Sequence, residues 1–162
     1  MRILGIDPGT TKSGVAIIKE DWREKGPLSA GVLQNEDLIA NIESGAISPD
    51  CTIAIEMISS YGMRVGQTTF DTCVFIGRLC QVCYSRGFDP VMIKRHEVKK
   101  EICPGKKAND SMIRLKLIQE MGWTKDDINK QSKRTGLKSH AWQALAVAVA
   151  IENRVLSNLF PI

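Results

Sequence analysis

No stretch of this chain approaches the length of a membrane span. Its apolar residues come in short runs interrupted by charge, whereas a spanning helix needs about 20 in succession, so no membrane partner is expected. The amino terminus carries one charge and then enters an apolar strand pattern, which is not the layout of a secretory signal peptide. No internal repeat and no low-complexity segment is visible. Cysteine is sparse and odd in number: Cys51, Cys73, Cys80, Cys83 and Cys103. Cys80 and Cys83 form one C-x-x-C pair, on a predicted helix, with no second pair and no histidine at zinc spacing. A zinc site is therefore not expected, and reduced thiols in a cytoplasmic compartment are the simpler account.

What is present fits one domain over 1–162, long enough for a core without disulfides or a structural metal. Hydrophobic residues make up 43% and charged residues 25%, the balance of a soluble globule. The net charge of +4 is informative mainly in its distribution. Lys94, Arg95, Lys99, Lys100, Lys106 and Lys107 fall between positions 94 and 107, and Lys130, Lys133, Arg134 and Lys138 form a second cluster. Such clusters are either solvated surface or the footprint of a polyanion.

Hydrophobic periodicity predicts strands over 2–7, 13–19, 29–33, 52–56 and 90–93, and helices over 36–46, 68–85, 111–121 and 139–156. The 68–85 helix is expected to bury Phe70, Cys73, Val74, Gly77, Leu79, Cys80 and Val82. Asn109 or Asp110 can cap the next helix, and Ser139 the last. The last helix is apolar almost all round and should lie deep against the sheet. The order of elements argues for an α/β fold: a mixed five-stranded sheet, antiparallel over its first three strands and parallel beyond, flanked by helices.

Two acids share one context. Asp7 ends the strand Ile3-Leu4-Gly5-Ile6, before the turn Pro8-Gly9-Thr10-Thr11, and Glu56 ends Thr52-Ile53-Ala54-Ile55. Asp-Pro-Gly is also ordinary turn chemistry. However, open α/β sheets place their sites at such strand ends. Two carboxylates facing each other there repel unless a cation lies between them. A third cluster, Ser139-His140-Ala141-Trp142-Gln143, sets His140 and Gln143 three apart in the first turn of a helix, where a ring nitrogen can complete a metal site.

These motifs, in this order, resemble the RuvC family of Holliday junction resolvases, and in particular its shorter phage-type members. Gly5-Ile6-Asp7-Pro8-Gly9 resembles the opening motif and Ile55-Glu56 the second acid. Gly66-Gln67 and the helix to Gly87 resemble the central segment. Val98-Lys99 with Gly105-Lys106-Lys107-Ala108 resembles the basic loop, and Ser139 to Ala150 the last catalytic helix. The resemblance implies a ribonuclease H-like fold and a homodimer with its interface on the 68–85 helix, through Phe70, Phe75 and the cysteines. The sequence alone could equally bury that helix face in the monomer. The resemblance also implies magnesium-dependent cutting of branched DNA, with manganese able to substitute, to 5′-phosphate products, in recombination, repair or phage DNA processing. Asp7, Glu56, His140 and Asp110 are the implied catalytic and metal-binding residues, with Asp7 bridging two ions. Lys99, Lys106, Lys107, Arg64 and Lys138 are the implied phosphate contacts. Tyr61, in a loop with Met63, either stacks on an unpaired base or is a surface tyrosine.

One departure matters. Resolvases of this kind carry an acid on the last helix where this chain has Gln143, and an amide is a poor ligand for a hard cation. Either the site is weakened or Asp110 compensates, at a position where bacterial relatives place a lysine; Asp110 can equally be only a helix cap. Two alternatives follow: a flap or RNA–DNA hybrid nuclease of the same fold, and a junction- or fork-binding protein with weakened catalysis. An actin-like ATPase is set aside because the chain is too short for two lobes.

Overall fold

The computed structural model describes residues 1–60, 62, 64–105 and 107–159, with the backbone alone at Gln131. A five-stranded sheet runs in the order β3-β2-β1-β4-β5, formed by β1 (Arg2–Asp7), β2 (Lys12–Lys19), β3 (Ser29–Gln34), β4 (Cys51–Met57) and β5 (Val91–Lys94). β1, β2 and β3 pair antiparallel, and β4 joins β1 and then β5 in parallel. This is the mixed sheet expected from the order of elements. The helices are α1 (Trp22–Lys25), α2 (Asn35–Glu43), α3 (Gln67–Ser85), α4 (Arg95–Ile102), α5 (Asp110–Glu120), α6 (Lys125–Thr135) and α7 (Ala141–Leu159).

Alternation along the central strands divides the core. Ile3, Ala54 and Ile93 face α7, α4 and α5, while Leu4, Ile6, Ile53 and Ile55 face α2 and α3. α7 is buried from Ala141 to Glu152 apart from the half-buried Gln143, as its nearly unbroken apolar pattern requires. It approaches β1 and β2 so closely that two positions admit only glycine. A Cβ at Gly5 would collide with the Ala144 carbonyl, and one at Gly14 with the His140 carbonyl.

Several expectations are corrected. The stretch from 94 to 107 is not one basic loop, because residues 95–102 form α4. Only Val98 and Ile102 are buried along it, too few apolar positions to mark a helix by period. The Glu97 side chain accepts from the Lys94 backbone N–H at 2.8 Å and starts the helix. α6 was likewise unexpected. It has no buried apolar stripe, and its start rests on Thr124 and Asp127 capping each other. In α3 the buried face is Thr72, Phe75, Ile76, Leu79 and Cys83; of the expected set Leu79 is buried, and Cys80 and Val82 are half-buried against the same core. Phe70 and Val74 are 54% and 66% exposed. Phe75 packs inside the protomer and is not available to a partner. The last helix starts at Ala141 rather than Ser139, which takes a left-handed conformation at φ 43° and does not cap it.

Candidate active site

Register and alternation bring the two strand-end acids together. Ile6 pairs with Ile55 in the parallel β1–β4 ladder, so Asp7 and Glu56 stand one step further along. Each lies two residues beyond a position on the α7 face, Gly5 and Ala54, and therefore points to that face. Opposite Asp7 across the antiparallel ladder is Gly14. Since α7 rests directly on Gly14, His140 comes to lie beside Asp7, with its Nδ1 3.1 Å from Asp7 Oδ2. Nδ1 faces the carboxylate, and Nε2 lies outside this contact. The turn after Asp7 is braced from below. Asn35, almost fully buried, donates from Nδ2 to the Gly9 carbonyl at 2.9 Å and accepts from the Ser13 hydroxyl at 2.7 Å. This brace accounts for one of the small polar residues that follow Asp7.

A cation not singled out in the sequence lies among the acids. Glu56 pairs with Ile93 in the β4–β5 ladder. Arg95, two residues beyond Ile93 and first in α4, reaches the same face. Its Nη1 donates to Glu56 Oε2 at 2.9 Å, and its Nη2 lies 2.6 Å from Asp110 Oδ1. The signal was present in the sequence as one more member of a basic cluster, and the fork geometry is what distinguishes it. Asn109 caps α5 by accepting from the Met112 N–H at 2.9 Å. Asp110 is thereby released from capping and turns to Arg95. Gln143 Nε2 donates to Asp110 Oδ2 at 3.4 Å, and Lys99 Nζ lies 3.8 Å from Asp110 Oδ1.

The carboxylates are short of positive charge. Burial raises the Asp7 pKa despite the opposing pull of His140 and Arg95. Burial likewise carries Glu56 up to about 7, against the pull of Arg95 and with a further push from the Asp7 charge. Arg95, with Lys99 near the exposed Asp110, does not offset the buried acids, and hard carboxylate oxygens with one imidazole suit a divalent cation. Among the described residues, no three His, Cys, Asp or Glu side chains yet converge tightly enough to hold an ion.

Of the other sequence candidates, Lys99 and Lys107 line a cavity of about 490 Å³ together with Arg95, His96 and Lys100. Arg64 is exposed ahead of α3, and Lys138 is exposed two residues before His140. Tyr61, Met63 and Lys106 lie outside the described residues. A second cleft, of about 380 Å³, runs past Asp7 and His140 along the Gly9–Lys12 turn. The acids therefore stand between two open clefts, one of them strongly basic. No helix among the described residues is long and apolar enough to cross a membrane.

No protein-family model and no curated protein matches this chain in sequence. Solved structures do match. RuvC of Thermus thermophilus in complex with a Holliday junction substrate superimposes with a TM-score of 0.74, over 98% of this chain and 96% of that one, at 17% identity. A second Thermus thermophilus RuvC structure gives 0.74, 98% and 97%, at 16% identity. The resemblance read from the motifs thus holds at the level of architecture: this chain has the ribonuclease H-like fold of RuvC.

Proposed function

We propose that this protein is a divalent-metal-dependent endonuclease that cuts branched DNA, four-way junctions foremost, with 1–162 acting as one nuclease unit in the cytoplasm. The observation that carries this reading is the pair Asp7 and Glu56, side by side on one face at the ends of adjacent parallel strands, with burial raising the pKa of both.

Asp7, Glu56, Asp110 and His140 are the residues that would hold magnesium or manganese, Asp7 centrally because it lies between β4 and α7. When bound, the metal supplies the Lewis acidity that activates water and stabilises the leaving 3′ oxygen. The chain's own part is placement. β1 and β4 fix the two acids rigidly, the Asn35 brace fixes the turn, and α7 carries His140 onto Asp7. Gln143 positions Asp110 rather than adding charge. Lys99 and Lys107, with Lys106, Arg64 and Lys138, supply sequence-independent attraction for the phosphate backbone, and Tyr61 is assigned to stacking on an unpaired base.

A homodimer suits a junction with two equivalent strands to cut. The surface that fits it is the exposed side of α3. Phe70, Val74 and Tyr84 are exposed there, and Cys80 Sγ lies 3.9 Å from Sδ of Met92, itself exposed on the edge strand β5.

The test is cleavage of a synthetic mobile four-way junction, a flap and an RNA–DNA hybrid, with magnesium or manganese, beside Asp7→Asn. Preferential junction cutting is expected, reduced by about 10³-fold or more in the variant. Preferential cutting of the flap or hybrid would redirect the substrate assignment. Junction binding without cutting would favour the second reading, a junction-binding protein with weakened catalysis, for which Gln143 in place of an acid speaks.

A further inference from the structure

Arg95 is bound where a cation belongs. Among the described residues it is the only side chain that touches two of the acids, bridging Glu56 on β4 and Asp110 on α5. Its guanidinium is largely enclosed, with 20% of the side chain exposed, and its two partners differ. Glu56 is 14% exposed, whereas Asp110 is 53% exposed and retains Gln143 and Lys99 as neighbours if Arg95 leaves. The same Arg95 forms part of the wall of the 490 Å³ basic cavity, alongside Lys99, Lys100 and Lys107. A phosphate entering that cavity meets a guanidinium that can exchange one anionic partner for another, and the planar fork binds phosphate as well as it binds carboxylate.

We propose that Arg95 is a built-in counter-ion: it occupies Glu56 and Asp110 in the DNA-free protein and moves onto a backbone phosphate when substrate enters, which releases both acids to a divalent cation. The inference rests on the nuclease reading for its substrate, but its metal-binding half stands apart from it. It accounts for three carboxylates that lie close together without forming a ready metal cage. It also couples metal uptake to the presence of DNA, because a cation and Arg95 compete for the same oxygens.

The full-length wild type, Arg95→Gln and Arg95→Lys are titrated with Mn²⁺ without DNA, the free ion being followed by electron paramagnetic resonance, with melting curves recorded alongside. Arg95→Gln is expected to bind Mn²⁺ about ten-fold tighter, since a cation next to the oxygens is removed. Arg95→Lys, which keeps the charge but loses the fork, should fall between. Equal or weaker binding by Arg95→Gln overturns the proposal. So does an Arg95→Gln protein that is unfolded without metal and not restored by Mn²⁺, which would make Arg95 a structural strut. In a second arm, junction binding is measured in EDTA over a range of salt. Arg95→Gln should lower the slope of log K against log salt by about 1, and an unchanged slope refutes transfer to phosphate. Wild-type junction cutting separates the two claims. If cutting of junction, flap and hybrid is all absent while Mn²⁺ binds tighter to Arg95→Gln, the nuclease reading fails and the counter-ion role at the acids stands.

Discussion

The His140 ring is hydrogen-bonded to Asp7, 133 positions away in sequence, across 3.1 Å. The contact exists because Gly14, the cross-strand partner of Asp7, has no side chain to hold α7 off the sheet. Its companion is Gly5, which takes the next turns of the same helix. Replacing Gly5 by alanine should destabilise the fold by about 3 kcal/mol or more, the upper end for overpacking, because the clash is with helix backbone that cannot change rotamer. Denaturant unfolding of Gly5→Ala measures this, and a loss below about 1 kcal/mol would contradict such close packing.

Ser139 precedes that histidine with φ at 43°, a conformation that costs a residue with a side chain roughly 1–2 kcal/mol. Ser139→Gly should therefore leave stability unchanged or raise it by up to about 1 kcal/mol. Ser139→Val should lower it and, by moving His140 off Asp7, weaken metal-dependent cutting. Melting temperatures compared with cleavage rates of the two variants check this, and identical behaviour of glycine and valine would argue against strain at this position.

Glu56 sets a pH dependence. Its pKa lies near 7 in the fold, against an ordinary value of 4.5. Between those values the folded chain retains a proton that the unfolded chain releases, so metal-free stability should fall as pH rises from about 4.5 to 7 and then level off. The raised Asp7 pKa acts in the same direction. Metal must displace the Glu56 proton, so Mn²⁺ affinity should drop with falling pH below about 7, by up to about ten-fold per unit. Calorimetry in buffers of different ionisation heat would register the released proton at pH 6. Glu56→Gln should flatten the stability profile, and an equally steep profile in that variant would assign the effect to another group.

Gln143 offers the converse experiment. Its amide donates to Asp110 at 3.4 Å, so Gln143→Asp would place a second carboxylate against the first. Without metal the variant should be less stable by about 1 kcal/mol or more, as like charges at short range repel. Saturating Mg²⁺ should recover that loss, since an ion that binds only the folded state stabilises it by mass action. Melting curves with and without Mg²⁺ report both effects. A variant unaffected by Mg²⁺ would place Asp110 and Gln143 outside the metal's reach.

The strands, the long helices and the two strand-end acids were legible because their information is local. Ile3 to Ile6 and Ile53 to Ile55 are short apolar runs that read as buried strands, and Asp7 and Glu56 interrupt them at the end. Period 3.6 marked α3 and α7 for the same reason. On α3 the period was right and the face wrong, because Phe70 and Val74 are as hydrophobic as Phe75 and Ile76. Composition does not say which side of a helix meets the sheet. α4 and α6 escaped detection because α4 buries only Val98 and Ile102 and α6 has no buried apolar stripe, so what marks their starts is side chains capping backbone.

Asp7 and Glu56 could be nominated from sequence because the strand that buries each is contiguous with it. The same chemistry elsewhere in the site depended on long-range placement. Arg95 was one cation among many until the β4–β5 register set it two residues past the partner of Glu56. Asp110 could be either a cap or a site residue until Asn109 took the capping bond. Sequence by itself determined where the apolar strands and long helices lie and which acids end the strands, since transfer of side chains out of water acts residue by residue. Only the tertiary structure decided which charge faces which, because ion pairing depends on distances that pairing register and helix docking set between segments far apart in the chain.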